Sequence, residues 1–177
     1  MKYITGNMLE ADTEALVNTV NTVGVMGKGI ALQFKERFPR NFKVYANACK
    51  KSEMQVGKML VVKENTLNGE KIIINFPTKT EWFKKSQYSY IEDGLKDLAM
   101  VIEEYNIKSI AIPPLGCGNG GLKWEKVKPM MDKYLGHFSN VTIQIYEPND
   151  AVKEILQKEA IKKEVGLTAA RAMLLYA

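Results

Sequence analysis

Two glycine-rich segments carry the clearest chemical signal in the sequence. The first lies within residues 18–30 and the second within residues 113–122, and each stands between a predicted strand and a predicted helix. Glycine lets the backbone approach a ligand closely, and the start of the following helix presents unpaired N–H groups that attract anions. Two such loops at strand ends predict one ligand with two adjacent phosphates, bound from both sides. Tight turns without a ligand are the alternative for either loop alone.

Neither segment matches a standard nucleotide motif in its usual context. Thr22 stands where the Walker A pattern requires its first glycine, and Gly29 follows Lys28 where that pattern requires Ser or Thr. Kinase and ATPase chemistry is therefore disfavoured. The second segment contains G-x-G-x-x-G, and Glu147 follows the next predicted strand. That pattern normally opens a dinucleotide domain, however, and here it forms the second of two loops, so a nicotinamide-dependent oxidoreductase is a distant alternative.

Histidine and cysteine offer little chemistry in this chain of 177 residues. His137 is the single histidine, which excludes most zinc and di-iron sites, and we expect it at the surface or at a helix end. Cys49 and Cys117 are 68 positions apart and form neither a CxxC pair nor a disulfide framework, a usage typical of a reducing compartment. We predict no metal and no cofactor, and a chemistry that uses lysine, carboxylate, amide or backbone groups.

The charge and the hydropathy of the chain narrow its partners. The formal net charge is +5, and most of it lies in residues 1–149. This balance is compatible with a polyanionic partner without requiring one. No run approaches the roughly 18 apolar residues of a membrane span, and the N-terminus has no signal-peptide pattern. We expect a cytoplasmic protein with no membrane partner.

The elements that position the glycine loops alternate along the chain. Strands are predicted at Leu16–Val20, Met59–Lys63, Lys71–Phe76, Ser109–Pro113 and Val141–Tyr146, and helices at Gly29–Phe38, Asn41–Lys51, Ser86–Tyr105 and Lys123–Phe138. An Asn68-Gly69 turn predicts a hairpin, and Ser86 is the predicted N-cap of the third helix. One face of that helix is predicted to hold Tyr90, Leu95, Leu98 and Ile102. Alternating strands and helices predict an α/β layer fold with a parallel or mixed central sheet.

The C-terminal residues are expected to stand apart from this body. A helix is predicted from Pro148 to about Val165, Gly166 breaks it, and an apolar run follows. We therefore expect one domain over residues 1–150. Residues 151–177 are expected to form a helical extension, or to begin a further domain cut from a longer protein.

Residues 1–147 resemble a macrodomain, the ADP-ribose-binding α/β/α module. The resemblance rests on three ordered segments, ITGNMLEADTEALVNTVN, VGVMGKGIALQFKERFP and PPLGCGNGGLKWEKV. The shorter stretches MGKGIA, INFPTK and GCGNGGLKW resemble in particular the DNA ADP-ribosyl glycohydrolase antitoxins of toxin–antitoxin pairs. This resemblance implies a three-layer fold with a mixed central sheet.

The resemblance also implies a role for each part of the site. The turn formed by Asn7, Met8 and Leu9 is expected beside adenine, and Asn21 is expected to hydrogen-bond the distal ribose, which carries the scissile bond. One side of the pyrophosphate is expected to face Gly27, Lys28, Gly29 and Ile30, and the other side Gly116, Cys117, Gly118, Asn119, Gly120 and Gly121.

Lys79 is the expected catalytic residue. In the related terminal ADP-ribose protein glycohydrolase, a lysine at the matching place attacks the anomeric carbon of the distal ribose, assisted by an aspartate in the second glycine loop. Here the matching place falls in Asn119-Gly120-Gly121, which has no carboxylate. Lys79 therefore works with a different base or stabilises charge. A nucleophilic lysine needs a lowered pKa, for which Lys84 and Lys85 are the candidate neighbouring cations.

The segment after Lys79 is expected to contact the modified nucleic acid. Thr80, Trp82, Lys84 and Lys85 combine aromatic and basic side chains, which suit base stacking and phosphate neutralisation on a single strand. The implied substrate is ADP-ribose on thymine in single-stranded DNA, and the implied partner is the DNA ADP-ribosyltransferase toxin. Trp82 anchoring a loop onto the body is the alternative. A non-catalytic ADP-ribose reader and an ADP-ribose 1″-phosphate phosphatase are the alternative functions.

Overall fold

A single six-stranded sheet organises the described part of the chain, which covers residues 1–148 of a computed structural model. Strands β1 to β6 span Lys2–Ile4, Ala15–Asn21, Leu60–Thr66, Gly69–Lys79, Ser109–Ile112 and Thr142–Tyr146. Helices α1 to α4 span Gly29–Arg37, Pro39–Lys50, Tyr88–Glu104 and Trp124–Leu135. No helix within residues 1–148 is both long enough and apolar enough to cross a membrane.

The strand order places five carboxyl ends at one edge of the sheet. The order is β1-β6-β5-β2-β4-β3, with every neighbouring pair parallel except β3 and β4. The antiparallel pair forms the predicted hairpin, in which Thr66 pairs with Gly69 across a two-residue turn. The predicted mixed sheet is therefore confirmed. Loops that leave the parallel strands at one edge converge there, which is where ligands bind in α/β sheets.

Side chains on the two faces of the sheet define the three layers. Ala15 and Val17 pack with α3 and α4 on one face, whereas Leu16 packs with Phe34 of α1 on the other. This alternation follows from the two-residue period of a strand that is buried on both faces. Gly94 lets α3 approach the sheet closely, because a Cβ there would lie 2.2 Å from the Phe76 ring. The α/β/α architecture is confirmed.

Two predictions about α3 are wrong. The helix begins at Tyr88, and its N-cap Gln87 makes no side-chain cap hydrogen bond. Ser86 is not the cap: its Oγ donates instead to the carbonyl oxygen of Thr78, at the end of β4. The buried face of the helix carries Ile91 where Tyr90 was expected.

Strand β4 is longer than predicted and contains Lys79 as its last residue. The apolar run ends at Phe76, but Pro77 and Thr78 stay buried, and β4 pairs with β2 up to Lys79 opposite Asn21. Residues 149–177 lie outside the described residues, and the helix predicted from Pro148 to about Val165 falls almost entirely within them. The division of the chain at residue 150 therefore stays a prediction.

Candidate active site

A cavity of about 1050 Å³ opens at the edge where the parallel strands end. Most of the residues expected to contact a ligand line it: Asn7, Met8, Asn21, Gly27, Lys28, Gly29, Ile30, Lys79, Trp82, Lys84, Lys85, Gly116, Cys117, Gly118, Asn119 and Gly120. Leu9, Thr80 and Gly121 do not line it. The volume is at the upper end of the range of about 300–1,000 Å³ that is typical of small-molecule sites, so the cavity can hold a dinucleotide-sized ligand.

Asn21 shapes loop 1, which comprises residues 22–28 between β2 and α1. Its Oδ1 accepts the backbone N–H groups of Val23, Gly24 and Val25 at 3.1, 3.1 and 3.3 Å. Its Nδ2 donates to the Val25 carbonyl at 2.8 Å, which leaves at most one amide hydrogen for a ligand. Asn21 therefore orders the loop and can offer a single donor to a ribose hydroxyl.

Tyr45 of α2 fixes the orientation of Asn21. Its buried hydroxyl lies 2.8 Å from the Asn21 backbone oxygen and 2.9 Å from Oδ1. Burial raises the pKa of Tyr45 well above its ordinary value, so the phenol stays a hydrogen-bond donor. No sequence signal pointed to Tyr45, because the contact joins a strand end to the middle of a helix.

The start of α1 faces the cavity and favours an anion. Lys28 occupies the N-cap and makes no side-chain cap hydrogen bond, so the first turn presents N–H groups to a ligand. Gly29 has φ +60°, and a Cβ built on it would lie 3.7 Å from Nδ2 of Asn119. The first helical turn and loop 2, which comprises residues 113–123 between β5 and α4, thus lie close together across the cavity.

Loop 2 folds back on itself so tightly that position 120 has no room for a side chain. Leu122 N donates to the Gly116 carbonyl at 3.0 Å, and Gly121 N donates to the Gly118 carbonyl at 3.1 Å. A Cβ on Gly120 would lie 2.3 Å from the Gly116 carbonyl oxygen, so that position requires glycine. The glycines of this loop therefore serve its own path as well as the approach of a ligand.

Lys79 extends from a bulge in β4 to loop 2. The register of β2 against β4 jumps from Val20 opposite Pro77 to Asn21 opposite Lys79, which leaves Thr78 as the extra residue. Bulges of this kind redirect side chains next to functional sites. The Nζ of Lys79 donates to the Asn119 carbonyl at 2.9 Å, so the side chain joins the end of β4 to the second glycine loop.

The environment of Lys79 makes its ammonium group easier to deprotonate than that of an exposed lysine. Burial lowers the pKa of Lys79, and the positive charge of Lys28 lowers it further. The neighbouring cation is therefore Lys28, on the other glycine loop, and the expectation that Lys84 and Lys85 would supply this effect is wrong. Lys84 instead forms an ion pair with Glu81 at 3.7 Å.

The segment after β4, residues 80–85, forms one rim of the cavity. Trp82 and Phe83 are 53% and 63% exposed, and their rings meet edge to face at 5.5 Å. This exposure argues against Trp82 as an anchor in the body of the protein. The backbone carbonyl of Thr80 accepts the Thr22 N–H at 3.2 Å and the Thr22 hydroxyl at 2.7 Å, which joins the start of this segment to loop 1.

The opposite end of the cavity lies where β1 and β6 end. Asn7 Oδ1 accepts the Leu9 N–H at 3.1 Å and caps the single helical turn Met8–Glu10. Leu9 faces a separate small groove. Glu147 lines the main cavity and pairs with Lys128 at 3.3 Å. Tyr146 and Gln33 also line the cavity and were not predicted, because neither belongs to a glycine loop.

The other residues considered from the sequence lie apart from this chemistry. His137 is exposed and stacks on Phe138 at 4.2 Å. Trp124 is half-buried against the core and meets Tyr3 edge to face, as expected of a core tryptophan. Cys117 lies in loop 2, where its Sγ is 3.7 Å from the Leu115 carbonyl oxygen.

The six-stranded sheet between two helical layers and the paired glycine loops together define a module of the macrodomain type. A family model described as "Macro domain" matches residues 17–131, and the chain belongs to this family. Among solved structures, the macrodomain of Mycobacterium tuberculosis DarG is 55% identical, with a TM-score of 0.81 over 83% of this chain and 97% of that one.

Two curated relatives are about twice as long as this chain. The DNA ADP-ribosyl glycohydrolase of Thermus aquaticus is 47% identical over 177 residues, which is 99% of this chain and 48% of that protein. A DNA ADP-ribosyl transferase-DNA ADP-ribosyl glycohydrolase fusion protein of Thermosipho africanus is 39% identical over 84% of this chain and 42% of its own length. The solved structure of Thermosipho africanus DarTG in complex with ADP-ribose has a TM-score of 0.78 and 38% identity, over 84% of this chain and 41% of that one. The chain spans a little under half the length of these two curated relatives.

Proposed function

We propose that this macrodomain is a DNA ADP-ribosyl glycohydrolase. It would hydrolyse the N-glycosidic bond that joins the distal ribose of ADP-ribose to a thymine base in single-stranded DNA. The name of the Thermus aquaticus relative supports the reaction, and the ADP-ribose bound by Thermosipho africanus DarTG supports the ligand. The cavity supplies groups for both parts of such a substrate.

The observation that carries the proposal is the placement of Lys79 between the two glycine loops. Its Nζ contacts loop 2 through Asn119 O at 2.9 Å, and Lys28 of loop 1 is close enough to lower its pKa. A pyrophosphate bound by the two loops would bring the attached distal ribose to this lysine. A non-catalytic reader needs the loops and has no use for a lysine with a lowered pKa at that point.

Lys79 can act in either of two ways. As a neutral amine, Nζ attacks the anomeric carbon of the distal ribose while the bond from that carbon to the thymine nitrogen breaks, and the Asn119 carbonyl orients the amine by accepting one N–H. The departing thymine takes up a proton, and water then hydrolyses the lysine–ribose bond, which releases ADP-ribose and restores Lys79. As an ammonium it stabilises the negative charge that develops on the departing base. Among the lining residues within the described range 1–148, Glu147 is the single carboxylate, and it lies at the Met8 end and is paired with Lys128. The chemistry at Lys79 therefore proceeds without an aspartate or glutamate partner from the described lining.

The nucleic acid would enter over residues 80–85. Trp82 and Phe83 present exposed rings at the mouth of the cavity, and an aromatic ring stacks on any base regardless of sequence. Lys85 adds a positive charge beside them. Thr80 would hold loop 1 through its carbonyl rather than contact DNA directly.

We further propose that the partner of this protein is a DNA ADP-ribosyltransferase toxin, whose product it removes in the cytoplasm. The Thermosipho africanus fusion supports this pairing, because it joins a transferase and a glycohydrolase in one chain. Residues 1–150 would form the macrodomain. Residues 151–177 would extend it or begin a further domain.

Release of ADP-ribose from a modified single-stranded oligonucleotide tests the function. We expect Lys79→Ala to lower kcat by about a hundredfold or more, because it removes the reacting group. Lys63→Ala is the matched control, since Lys63 is an exposed lysine on the hairpin, paired with Glu70 at 3.9 Å. Both variants should bind free ADP-ribose as the wild type does.

Each alternative function gives a different result in the same assay. Undiminished release by Lys79→Ala would remove Lys79 from the mechanism. Binding of ADP-ribose without any release by the wild type would indicate a reader. Release of inorganic phosphate from ADP-ribose 1″-phosphate, without release from DNA, would indicate a phosphatase.

A further inference from the structure

Ser86 lies between the two segments that meet at Lys79. It follows the exposed 80–85 segment, yet it is 6% exposed and does not cap the helix after it. A buried serine hydroxyl requires a hydrogen-bond partner, and the partner it has indicates what the residue does.

Ser86 makes one hydrogen bond to each of these segments. Its Oγ donates to the carbonyl oxygen of Thr78, the extra residue of the bulge in β4. Its backbone N–H donates to the carbonyl of Gly120 in loop 2 at 2.9 Å. A single buried residue therefore joins the strand end that carries Lys79 to the loop that receives it.

These bonds form a closed ring that includes the Lys79 side chain. Thr78 precedes Lys79 in the chain, and Gly120 follows Asn119. The Asn119 carbonyl accepts a hydrogen bond from Nζ of Lys79 at 2.9 Å. Starting from Lys79, the path runs through Thr78, Ser86, Gly120 and Asn119 and returns to Nζ. Any shift of the bulge against loop 2 would stretch a bond in this ring.

We propose that Ser86 is a positioning residue for the glycohydrolase reaction, which fixes the Lys79 amine by holding the bulge of β4 against loop 2. This inference rests on the proposed function of the site. The Thr78 carbonyl is the group that depends on Ser86, because Thr78 lies outside the regular pairing of β2 with β4 and is buried. Without the serine hydroxyl this carbonyl loses a partner, and the bulge can relax.

Ser86→Ala tests the proposal, because it removes the hydroxyl and keeps the backbone N–H to Gly120. We expect kcat on modified DNA to fall by about tenfold, since small displacements of a reacting group have effects of this size or larger. The KM should stay within about twofold of the wild-type value, because loop 2 keeps its bond to residue 86.

Ser109→Ala is the matched control. Ser109 is the first residue of β5, at the end of the strand that points away from the cavity. Its Oγ accepts the Glu14 N–H at 2.7 Å. It therefore also loses one hydrogen bond between a serine hydroxyl and the backbone. We expect a comparable loss of thermal stability with kcat unchanged.

A titration of Lys79 separates positioning from general stability. In protein carrying isotope-labelled lysine, the Lys79 resonance is assigned with Lys79→Arg and followed with pH. Ser86→Ala should raise the pKa of Lys79 toward that of an exposed lysine, because a displaced side chain regains water, and Ser109→Ala should leave it unchanged. If Ser86→Ala does not fold, Ser86→Cys, with a weaker donor, is titrated instead and should shift the pKa in the same direction.

A Lys79 pKa in the Ser86 variant equal to that of the wild type would overturn the proposal. So would equal losses of kcat in Ser86→Ala and Ser109→Ala. If no protein, wild type included, released ADP-ribose from DNA, the proposed function would fail, and the titration would still decide whether Ser86 positions Lys79.

Discussion

Asn21→Ala separates the ordering of loop 1 from the stability of the fold. Oδ1 of Asn21 accepts three backbone N–H groups of the loop and lies 2.9 Å from the Tyr45 hydroxyl. Alanine removes all of these contacts and the bond from Nδ2 to Val25 O. We expect a modest loss of stability together with a loss of ADP-ribose binding, because the two depend on different parts of this network.

The stability cost follows from what replaces each bond. Val23 and Val25 are 48% and 42% exposed, so water can bind the amides that Asn21 leaves. Tyr45 keeps the backbone oxygen of residue 21 at 2.8 Å, so no buried hydroxyl loses its last partner. A hydrogen bond contributes about 0.5–1.5 kcal/mol net, and water replaces most of the bonds that Asn21 makes. The free energy of unfolding should therefore fall by about 1–2 kcal/mol. The melting temperature should then drop by roughly 2–4 °C for each kcal/mol.

Binding is weakened in addition, because loop 1 must be ordered again each time a ligand enters. If ordering the loop costs about 1.4 kcal/mol or more, the Kd for ADP-ribose rises by about tenfold or more. Isothermal titration calorimetry with free ADP-ribose measures this directly. Thr13→Ala is the control, since Thr13 is buried just before β2, at the opposite end from Asn21, and its hydroxyl donates to Ala15 O at 2.9 Å. Equal Kd values for Asn21→Ala and Thr13→Ala would refute the reasoning.

Two further predictions concern the reaction and the rim. If neutral Lys79 is the reactive form, kcat rises with pH as Lys79 loses its proton, around its lowered pKa. Lys28→Met should move this rise to higher pH, because removing the neighbouring positive charge raises the pKa of Lys79. A rise at the same pH in both proteins would contradict the assignment. Trp82→Ala should lower kcat/KM on a modified oligonucleotide by about tenfold, because stacking of one base on an aromatic ring contributes about 1–3 kcal/mol. The affinity for free ADP-ribose should stay within about twofold of the wild-type value. Leu67→Ala, at the exposed tip of the hairpin, is its control, and equal losses of kcat/KM in the two would exclude stacking on Trp82.

The apolar pattern located strands in the sequence, and it located their ends less well where a strand continues through proline and polar residues. The apolar run Leu16–Val20 predicted β2 to within one residue at each end. β4 was predicted as Lys71–Phe76 and spans Gly69–Lys79. The prediction ended three residues early because Thr78 is polar and Pro77 usually ends a strand. Within β4, Asn75 is fully buried and satisfied by Asn41 at 2.8 Å, a contact between residues 34 positions apart. Local patterns cannot report such a partner.

The glycine loops were predictable for a related reason, and the neighbours of Lys79 were not. Glycine spacing reports a local backbone need, so both loops could be placed from the sequence alone. The cation that acts on Lys79 is Lys28, 51 positions away, whereas Lys84, five positions away, pairs with Glu81. Proximity in sequence suggested Lys84 and Lys85, whereas the lysine whose charge lowers the pKa of Lys79 lies on the other glycine loop, a neighbour that local patterns cannot report.

The backbone around Lys79 is held on both sides, and the rim beyond it is not. The carbonyl of Thr78 accepts the Ser86 hydroxyl, and the carbonyl of Thr80 accepts the Thr22 hydroxyl at 2.7 Å. Two residues further on, Trp82 begins the exposed aromatic pair. A reacting amine benefits from a fixed position, whereas a surface that meets bases of varying sequence benefits from side chains that can adjust. On this basis, variants at Thr22 and Ser86 should change kcat, and variants at Trp82 should change the dependence on DNA length and leave the reaction of a short modified nucleoside unaffected.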